Sequence, residues 1–300
     1  MRLAAFPKCY MEALCVARSM SVFDWIDEAR ALQVYGVEGL ELYPGFFTDD
    51  SPRYLAAVSQ ALLEAGFCMP MFCCSPDFTH PDADYRAGQV RLERKWVDMA
   101  AFLGARTCRV LSGQRRPEVT REDGIRWTVE CIEQLLPYAE RRGVILAMEN
   151  HFKDSSWQFP EFAQPTAIFC AIVEQIESPW FGVNYDPSNT LLAGEDPLEL
   201  LDRVAHRVVS MHASDRRPAA GVSASLESIT DYSHMVHGEI GTGLIDYPEI
   251  LERLRRAGFD GWVSIEDGMN GIEEIARSAR YLSGFGVGAL SKAADEPPER

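Results

Sequence analysis

Several features that would place this 300-residue chain in a particular class are scarce or missing. None of its eight cysteines forms a CxxC pair, and several stand inside apolar runs, which indicates buried thiols in a reducing compartment. No apolar run approaches the ~20 residues that a membrane helix requires, and no signal peptide precedes Leu3. We therefore expect a cytoplasmic protein that makes no contact with a membrane.

Positive charge is also in short supply. The chain has 29 lysines and arginines against 45 acidic residues, a net charge of −16. Such an acidic surface repels phosphate backbones, so we expect no nucleic-acid partner. Hydrophobic residues at 47% and charged residues at 25% are ordinary values for a globular protein, and the length is compatible with one α/β barrel.

Strand and helix patterns alternate along the whole chain. Short apolar runs predict eight strands, at Leu3–Phe6, Gly39–Tyr43, Cys68–Cys74, Thr107–Leu111, Val144–Met148, Gly182–Tyr185, Val208–Met211 and Trp262–Ile265. Apolar residues at three- and four-residue steps predict eight helices between and after them, at Val22–Tyr35, Pro52–Ala65, Tyr85–Leu103, Glu122–Arg142, Pro165–Ile176, Pro197–Ala205, Pro248–Ala257 and Gly271–Leu282. This alternation predicts an α/β fold, a (β/α)₈ TIM barrel in a single domain.

The chief alternative is an open, doubly wound sheet, but no glycine-rich turn follows the first strand, as dinucleotide binding would require. We expect the barrel to occupy residues 1–290 and the polar tail 291–300 to be disordered. The connection 213–246 shows no clear helix, and loops of this length are uncommon unless they are functional. We therefore expect this loop to cover the barrel mouth.

Four of the predicted strands are followed directly by side chains that can bind metals. Glu149 follows the fifth strand, Asp186 the sixth, His212 the seventh and Glu266 the eighth. Because active-site residues of such barrels come from the carboxyl ends of the strands, we expect these four at one mouth. Each alone could be a solvated group, a helix cap or a hydrogen-bonded histidine. Together, three clustered acids would repel one another unless a cation neutralised them.

The pattern therefore predicts one divalent metal ion, bound by Glu149, Asp186, His212 and Glu266. Three carboxylates and one imidazole suit Mn²⁺, our first choice, and also Co²⁺, Mg²⁺ or Zn²⁺. No cysteine stands at these positions, which argues against a closed structural zinc site.

Five short motifs surround these positions: Glu149-Asn150-His151, Asp186-Pro187-Ser188-Asn189, His212-Ala213-Ser214-Asp215, the stretch 237–243 (HGEIGTG) and Ile265-Glu266. With them the second half of the chain resembles the xylose-isomerase-like TIM barrel superfamily, specifically its sugar phosphate isomerase/epimerase group with the tagatose and psicose 3-epimerases. The first half matches only in its alternation. The resemblance implies that the same four residues bind the metal and that Glu149 and Glu266 exchange protons with the substrate.

The chemistry of such a site is proton transfer beside a carbonyl. A metal chelated by a sugar carbonyl and its neighbouring hydroxyl stabilises the enediolate that forms on proton loss. Two carboxylates on opposite faces can invert the carbon, and one base can move the carbonyl to its neighbour. We therefore predict a metal-dependent isomerase or epimerase of carbohydrate metabolism. Its partner would be a small sugar or keto-cyclitol substrate, and a homo-oligomer is left open because relatives are often dimers or tetramers.

Five further residues are candidate substrate contacts. Epimerases of this group commonly carry a histidine three residues after the strand-six aspartate, and here a neutral amide stands in that place, which puts the specific reaction in doubt. The other four lie near predicted strand ends or in the long loop, and each has a structural alternative, such as an ion pair, a turn or simple packing. The candidates are Glu41, His151, Asn189, Arg216 and His237.

Three other functions compete with the isomerase. A lyase of the same barrel class, such as an inosose or dehydroshikimate dehydratase or an enzyme that cleaves keto-glycosides, would use the same enolate and expel a neighbouring group. An abasic-site endonuclease would need extra histidines where this chain has Cys74-Ser75, Leu111-Ser112 and Asn189, and its substrate would be repelled by the net charge of −16. A non-catalytic sugar sensor would not need both Glu149 and Glu266.

Overall fold

A computed structural model describes residues 1–222, 234–267 and 269–288. Its strands are β1 Arg2–Ala5, β2 Val37–Leu40, β3 Met71–Phe72, β4 Thr107–Val110, β5 Ile145–Glu149, β6 Phe181–Tyr185, β7 Val208–Ala213, β8 Asp215–Pro218, β9 Met235–Gly238 and β10 Trp262–Ile265. Eight of them form one parallel sheet in the order β2-β1-β10-β7-β6-β5-β4-β3. Two isolated parallel bridges, Gly39 with Cys68 and Leu42 with Phe72, bring its two edges together. The predicted TIM barrel is confirmed.

Helices follow the strands and pack on the outside of the sheet. Their bounds are α1 Val22–Glu28, α2 Pro52–Ala65, α3 Ala83–Phe102, α4 Arg121–Arg142, α5 Thr166–Val173, α6 Pro187–Leu192, α7 Pro197–Val204, α8 Tyr247–Arg256 and α9 Ile272–Ser283. The sequence determines their ends locally: Ser21 caps α1 through a reciprocal hydrogen-bond pair with Asp24, and Asp246 caps α8. Gly66 and Gly143 end α2 and α4 in the left-handed conformation.

Besides the added strands β8 and β9, three elements differ clearly from the sequence prediction. The third strand is only two residues long instead of seven, because Pro70 lies in its middle and cannot donate a ladder hydrogen bond. The first helix is α-helical only to Glu28 and continues as a 3₁₀-helix over Ala29–Tyr35. Helix α6 is an addition: it begins directly after Asp186, whose carboxylate accepts hydrogen bonds from Ser188 and Asn189.

The barrel interior and the layer between sheet and helices form one apolar core. Every residue of β4 and β6 is buried, as are the apolar residues of β1 and β5 except Ile145. The core therefore holds the carboxyl ends of the strands in fixed positions. In the described part of the connection 213–246 there is no helix; β8 and β9 pair as an antiparallel hairpin. The central residues of that connection, 223–233, and the expected tail 291–300 lie outside the described residues.

Two simpler sequence expectations can also be compared with the structure. All eight cysteines are free thiols, five of them buried. Among the described helices, none combines the length and the apolar character needed to cross a membrane.

Candidate active site

The four predicted metal ligands converge at the carboxyl end of the barrel. Glu149 is the last residue of β5, His212 lies near the end of β7, and Asp186 and Glu266 follow β6 and β10 directly. One ligand atom from each lies within 4.8 Å of the others, and all four residues are buried. We call these four residues the tetrad. They come from four adjacent strands, so the sheet itself sets their spacing.

His212 is held so that one ring nitrogen points into the tetrad. Its Nε2 lies 2.8 Å from Oε2 of Glu41, which is fully buried at the end of β2. Its Nδ1 lies 3.4 Å from Oε1 of Glu149 and 3.5 Å from Oε2 of Glu266. This buried Nδ1 has no hydrogen-bond partner among the described residues. In metal-bound histidines, one ring nitrogen typically contacts a carboxylate and the other binds the metal. Here Nε2 contacts Glu41 and Nδ1 is available, so the donor set fits a divalent ion.

Without a metal ion, the acids of the tetrad have pKa values shifted in opposite directions. Burial alone would raise the pKa of Glu149, but Arg109 and His212 outweigh it and lower that pKa to about 2. Burial, reinforced by the charges of Glu266 and Glu149, raises the pKa of Asp186 to about 7. Burial opposes the charge on His212, yet the surrounding glutamates hold its pKa well above the ordinary value. Without an ion, protons therefore compensate the clustered carboxylates.

Two cations beside the tetrad were not predicted from the sequence. Arg109, in the middle of β4, donates from Nη1 to Oε2 of Glu149 at 2.7 Å and from Nη2 to Ser75 at 3.0 Å. Lys8 follows β1 and places Nζ 3.4 Å from Oε1 of Glu266. An arginine inside the apolar run Thr107–Leu111 was the one available signal, because a charge in a buried strand requires a partner.

Two asparagines fix the acids in place. Asn189 donates from Nδ2 to Oδ2 of Asp186 at 2.9 Å and to Oε1 of Glu149 at 3.3 Å. Asn150 accepts from the backbone N–H of Asp186 at 2.9 Å and donates back to its carbonyl at 2.6 Å. The amide at position 189 therefore joins two members of the tetrad, and Asn150 ties the end of β5 to the end of β6.

Arg216 and His237 lie at a neighbouring corner, on the paired strands β8 and β9. Nη1 of Arg216 lies 2.7 Å from Nδ1 of His237, and that nitrogen lies 2.7 Å from Oδ1 of Asp267. Arg216 is only 2% exposed, and burial lowers the pKa of His237 despite the nearby Asp267. The structure thus groups two predicted substrate contacts with Asp267, the residue after Glu266.

The carboxylate of Asp215 organises the glycine-rich motif that follows this hairpin. Its two oxygens accept backbone N–H groups of Arg216, Gly241, Gly243 and Ile245 at 2.8 to 3.2 Å. A side chain at Gly243 would meet Asp215 Oδ1 at 2.2 Å, which explains why the motif carries glycine there.

A cleft of about 260 Å³ opens beside the tetrad. Glu266 and the predicted contact His151 line it; Glu41, Asn189, Arg216 and His237 are not among its lining residues. The cleft also receives Lys8 and Arg109, and its full lining is Phe6, Lys8, Met11, Tyr43, Arg109, His151, Lys153, Asp154, Ser155, Glu266 and Met269. We call it the inner cleft.

A larger groove of about 520 Å³ runs along Gln33, Glu38 and Arg280, at the amino-terminal end of the strands. In TIM barrels, that end contributes to stability, and catalysis takes place at the carboxyl-terminal end. The inner cleft is therefore the candidate active site.

Comparison with known proteins agrees with this geometry. A sequence model for the family described as "Xylose isomerase-like TIM barrel" matches residues 29–284. The inosose dehydratase of Lacticaseibacillus casei is 26% identical over 127 residues, 40% of this chain and 43% of that protein. The putative hydroxypyruvate isomerase of Streptomyces coelicolor is 27% identical over 174 residues, 57% of this chain and 55% of that protein. The matches thus span about half the length of these curated relatives.

Solved structures match over nearly the whole chain at low identity, which shows the fold alone. A D-tagatose 3-epimerase-like protein has a TM-score of 0.72 at 16% identity, covering 95% of this chain and 97% of that one. The IOLI protein with a binding zinc atom also has a TM-score of 0.72 at 16% identity, with 98% and 100% covered. The 3-keto-D-glucoside 4-epimerase YcjR from E. coli has a TM-score of 0.67 at 13% identity, with 95% and 99% covered.

Proposed function

Because the chain belongs to the xylose isomerase-like TIM barrel family, we propose that it is a divalent-metal-dependent isomerase or epimerase acting on a sugar or sugar derivative. One observation carries this proposal: two buried glutamates, Glu149 and Glu266, converge with Asp186 on the bare Nδ1 of His212 at the edge of a cleft. An arrangement of this kind can hold one cation and two proton-transfer groups at the same place.

The tetrad would hold the ion, with Mn²⁺ as our first choice; zinc in the IOLI structure supports a divalent ion in this fold without identifying the metal here. When bound, the ion supplies Lewis-acid polarisation of the substrate carbonyl. The remaining tasks belong to the protein. Glu41 fixes the ring of His212, and Asn189 spaces Asp186 from Glu149. We propose positioning roles for both residues, in place of direct substrate contact.

Proton transfer is assigned to Glu149 and Glu266. Burial opposes ionisation of both groups, but Arg109 lowers the pKa of Glu149 and Lys8 lowers that of Glu266, so both are ionised carboxylates with no proton of their own to lose first. If one carboxylate removes the proton and a second returns it on the opposite face, the carbon is inverted and the sugar is epimerised. If a single carboxylate returns the proton to the adjacent carbon, the sugar is isomerised. His151 lines the inner cleft and is the predicted substrate contact best placed to meet a hydroxyl.

A dehydratase or related lyase is the second candidate function. It is favoured by Lys8, whose ammonium lines the inner cleft beside Glu266 and could donate a proton to a departing hydroxyl. The similarity to inosose dehydratase supports the same alternative. Both functions begin with the same proton abstraction. They differ in whether the hydroxyl on the neighbouring carbon is retained, as in an isomerase or epimerase, or expelled, as in a dehydratase.

Hydrogen exchange in D₂O tests the proposal. Manganese-loaded protein is incubated with D-tagatose, D-fructose and a keto-inositol, and the sugars are followed by NMR and mass spectrometry. Deuterium on carbon with the carbon skeleton and its oxygens intact supports an isomerase or epimerase, and loss of water supports the lyase. Glu149→Gln and Glu266→Gln should each abolish the exchange, whereas the exposed Glu174→Gln should not. Exchange that persists in both active-site variants would remove these residues from the mechanism.

A further inference from the structure

A second cavity of about 280 Å³ adjoins the inner cleft. Tyr43 lines both, and the neighbours Ser155 and Ser156 line the inner cleft and the second cavity respectively. We call the second cavity the outer compartment. Its chief lining side chains are Tyr43, Ser75, Asp77, Tyr85, Trp96 and Trp157.

Arg109 contacts both the tetrad and the outer compartment, so its size limits the distance between them. The guanidinium of Arg109 binds Glu149 through Nη1 at 2.7 Å and Ser75 through Nη2 at 3.0 Å. Because a guanidinium is a small rigid fork, Glu149 Oε2 and Ser75 Oγ are separated by at most about 8 Å. This separation between Glu149 and Ser75 is comparable to the distance between equivalent atoms of two glycosidically linked pyranose rings. A substrate reacting at the tetrad would therefore extend its next ring into the outer compartment.

The walls of the outer compartment suit a sugar ring. Three aromatic side chains line the outer compartment, Tyr85, Trp96 and Trp157, and ring C–H groups of a sugar pack favourably on aromatic rings. One face of Tyr85 is stacked on His80, with the centroids 4.1 Å apart. Beside them lie the neutral polar side chains of Ser75, Gln89 and Gln114. Each already makes at least one hydrogen bond within the protein, which fixes its orientation. This mixture of aromatic faces and neutral polar groups matches a molecule with apolar faces and a rim of hydroxyls. A charged headgroup would find a poorer match, because Asp77, the acid in this lining, is already paired with Arg116 at 2.5 Å.

The wall that carries Trp157 is fixed before any ligand arrives. Oε1 of Gln114 accepts the backbone N–H groups of Gln158 and Phe159 at 2.8 and 3.1 Å. Trp157 itself is 7% exposed and meets the ring of His151 edge-on, with the centroids 6.4 Å apart. Since His151 lines the inner cleft, this contact joins the two cavities. A preformed wall lowers the entropy cost of ordering a second ring.

We propose that the outer compartment binds the second ring of a glycoside, so that the substrate is a keto-sugar in glycosidic linkage and not a free monosaccharide. The inference rests on the proposed function for the reacting ring only. Recognition of the second ring is carried by the outer compartment itself, and it can be measured without turnover.

The test compares two probes, methyl 3-keto-β-D-glucoside with one ring and 3-ketocellobiose with two. Dissociation constants are measured by calorimetry on the manganese-loaded protein, and saturation-transfer NMR identifies the rings in contact. The two-ring probe should bind about tenfold more tightly, as expected when the apolar C–H surface of one added ring is buried against aromatic side chains. Trp157→Ala and the exposed Tyr85→Ala should each remove most of that advantage, whereas Trp180→Ala, at the start of β6, should preserve it.

Each outcome counts for or against the outer compartment. Equal affinity for the two probes, binding of neither, or an advantage that survives both aromatic variants would overturn the proposal. Tighter binding of the two-ring probe without deuterium exchange would leave it standing and defeat the isomerase assignment. Deuterium exchange with both probes, bound at equal affinity, would support the isomerase assignment and overturn the role of the outer compartment. Because Tyr85 lies at the surface, its variant keeps the test valid even if Trp157→Ala does not fold.

Discussion

His212 depends on a residue that does not itself reach the tetrad. Nε2 of the ring lies 2.8 Å from the carboxylate of Glu41, so that when His212 gives up its proton to bind a metal, the lone pair is on Nδ1, which faces Glu149 and Glu266. We expect Glu41→Ala to weaken manganese binding roughly 10- to 100-fold, the usual cost of losing such a partner. Glu41→Gln keeps an acceptor and should lose much less. Metal titration by calorimetry measures both.

A control for this prediction lies on the same strand. Glu38 is partly exposed and pairs with Arg2, so Glu38→Ala should leave the metal affinity unchanged. If Glu41→Ala bound manganese as tightly as the wild type, the orientation of His212 would have to be maintained by other contacts, such as the thiol of Cys73 near Glu41.

For single residues, the sequence predicts where a side chain lies along the barrel better than it predicts which other side chain it contacts. The tetrad could be predicted because Glu149, Asp186, His212 and Glu266 each follow a predicted apolar strand directly, and parallel strands end at the same level. The bond from Glu41 to His212 spans 171 positions in the chain, and sequence spacing carries no information about such a pair. Arg109 was missed for a related reason: its position inside β4 shows that it is buried, but the sequence does not show that it faces Glu149.

Helix α3 carries a carboxyl group on its buried face. Burial raises the pKa of Glu93 to about 8, and the contact of Cys108 Sγ with its Oε1 at 3.3 Å offsets this only in part. The folded state therefore keeps a proton that the unfolded chain releases near its ordinary value. Stability should fall by about 1.4 kcal/mol per pH unit between those two pKa values and level off above the higher one.

Glu93→Gln should remove this loss, because an amide does not titrate. Relative to the wild type, the variant should gain stability steadily as the pH rises from 5 to about 8. Urea unfolding at several pH values measures the difference, with the exposed Glu133→Gln on α4 as the matched control. Parallel stability curves for Glu93→Gln and the wild type would show that the buried carboxyl is ionised in the folded state.

The segment after β9 depends on one carboxylate. Asp215 accepts backbone N–H groups from Gly241, Gly243 and Ile245, and no regular ladder replaces these bonds within the described residues. Asp215→Ala would leave these backbone donors without their acceptor, at a cost of about 1–3 kcal/mol for each that water cannot reach, such as that of the buried Ile245. We expect faster hydrogen exchange and faster proteolysis over 239–245. Asp246→Ala, which removes only the cap of α8, should cost about 1 kcal/mol and leave that segment protected.

Element boundaries were predictable where local chemistry sets them. Ser51 caps α2, Asp246 caps α8 and Gly143 ends α4, and each appears in the sequence as a recognisable start or stop signal. The hairpin of β8 and β9 was not predictable, because both strands are only four residues long, β8 is polar, and residues 219–234 separate them. Helix α6 was not predicted, although a helix cap was the structural alternative for Asp186, and its Oδ1 does accept the N–H of Ser188.

The barrel as a whole follows from repetition. Eight apolar strands alternating with amphipathic helices have few ways to bury both faces of a parallel sheet, and closure removes the exposed edges. The sequence also predicted that the four metal-ligand candidates would gather at the carboxyl ends of the strands, where the tetrad lies. It could not predict the shape of the mouth, because the two cavities beside Tyr43 are formed by loops whose course depends on distant contacts such as Gln114 with Gln158.

Metal binding should be visible in the stability of the whole molecule. In the metal-free protein burial and neighbouring charges raise the pKa of Asp186 to about 7, so the folded state retains a proton that the unfolded chain has already lost. Metal-free stability should therefore fall as the pH rises towards 7. A bound ion replaces that proton, so its stabilisation should grow over the same range.

The expected result is a difference in melting temperature between manganese-loaded and chelated protein that widens from pH 5.5 to pH 7.5. Ligand at about 1,000 times its dissociation constant stabilises a protein by about 4 kcal/mol, which corresponds to a shift on the order of 10 °C for a chain of this size. Asp186→Asn cannot hold the proton and lacks one charged ligand, so both the shift and its pH dependence should shrink. A shift that is the same at every pH would mean that the ion binds without displacing a proton, and that the charge of the clustered carboxylates is balanced by Arg109 and Lys8 alone.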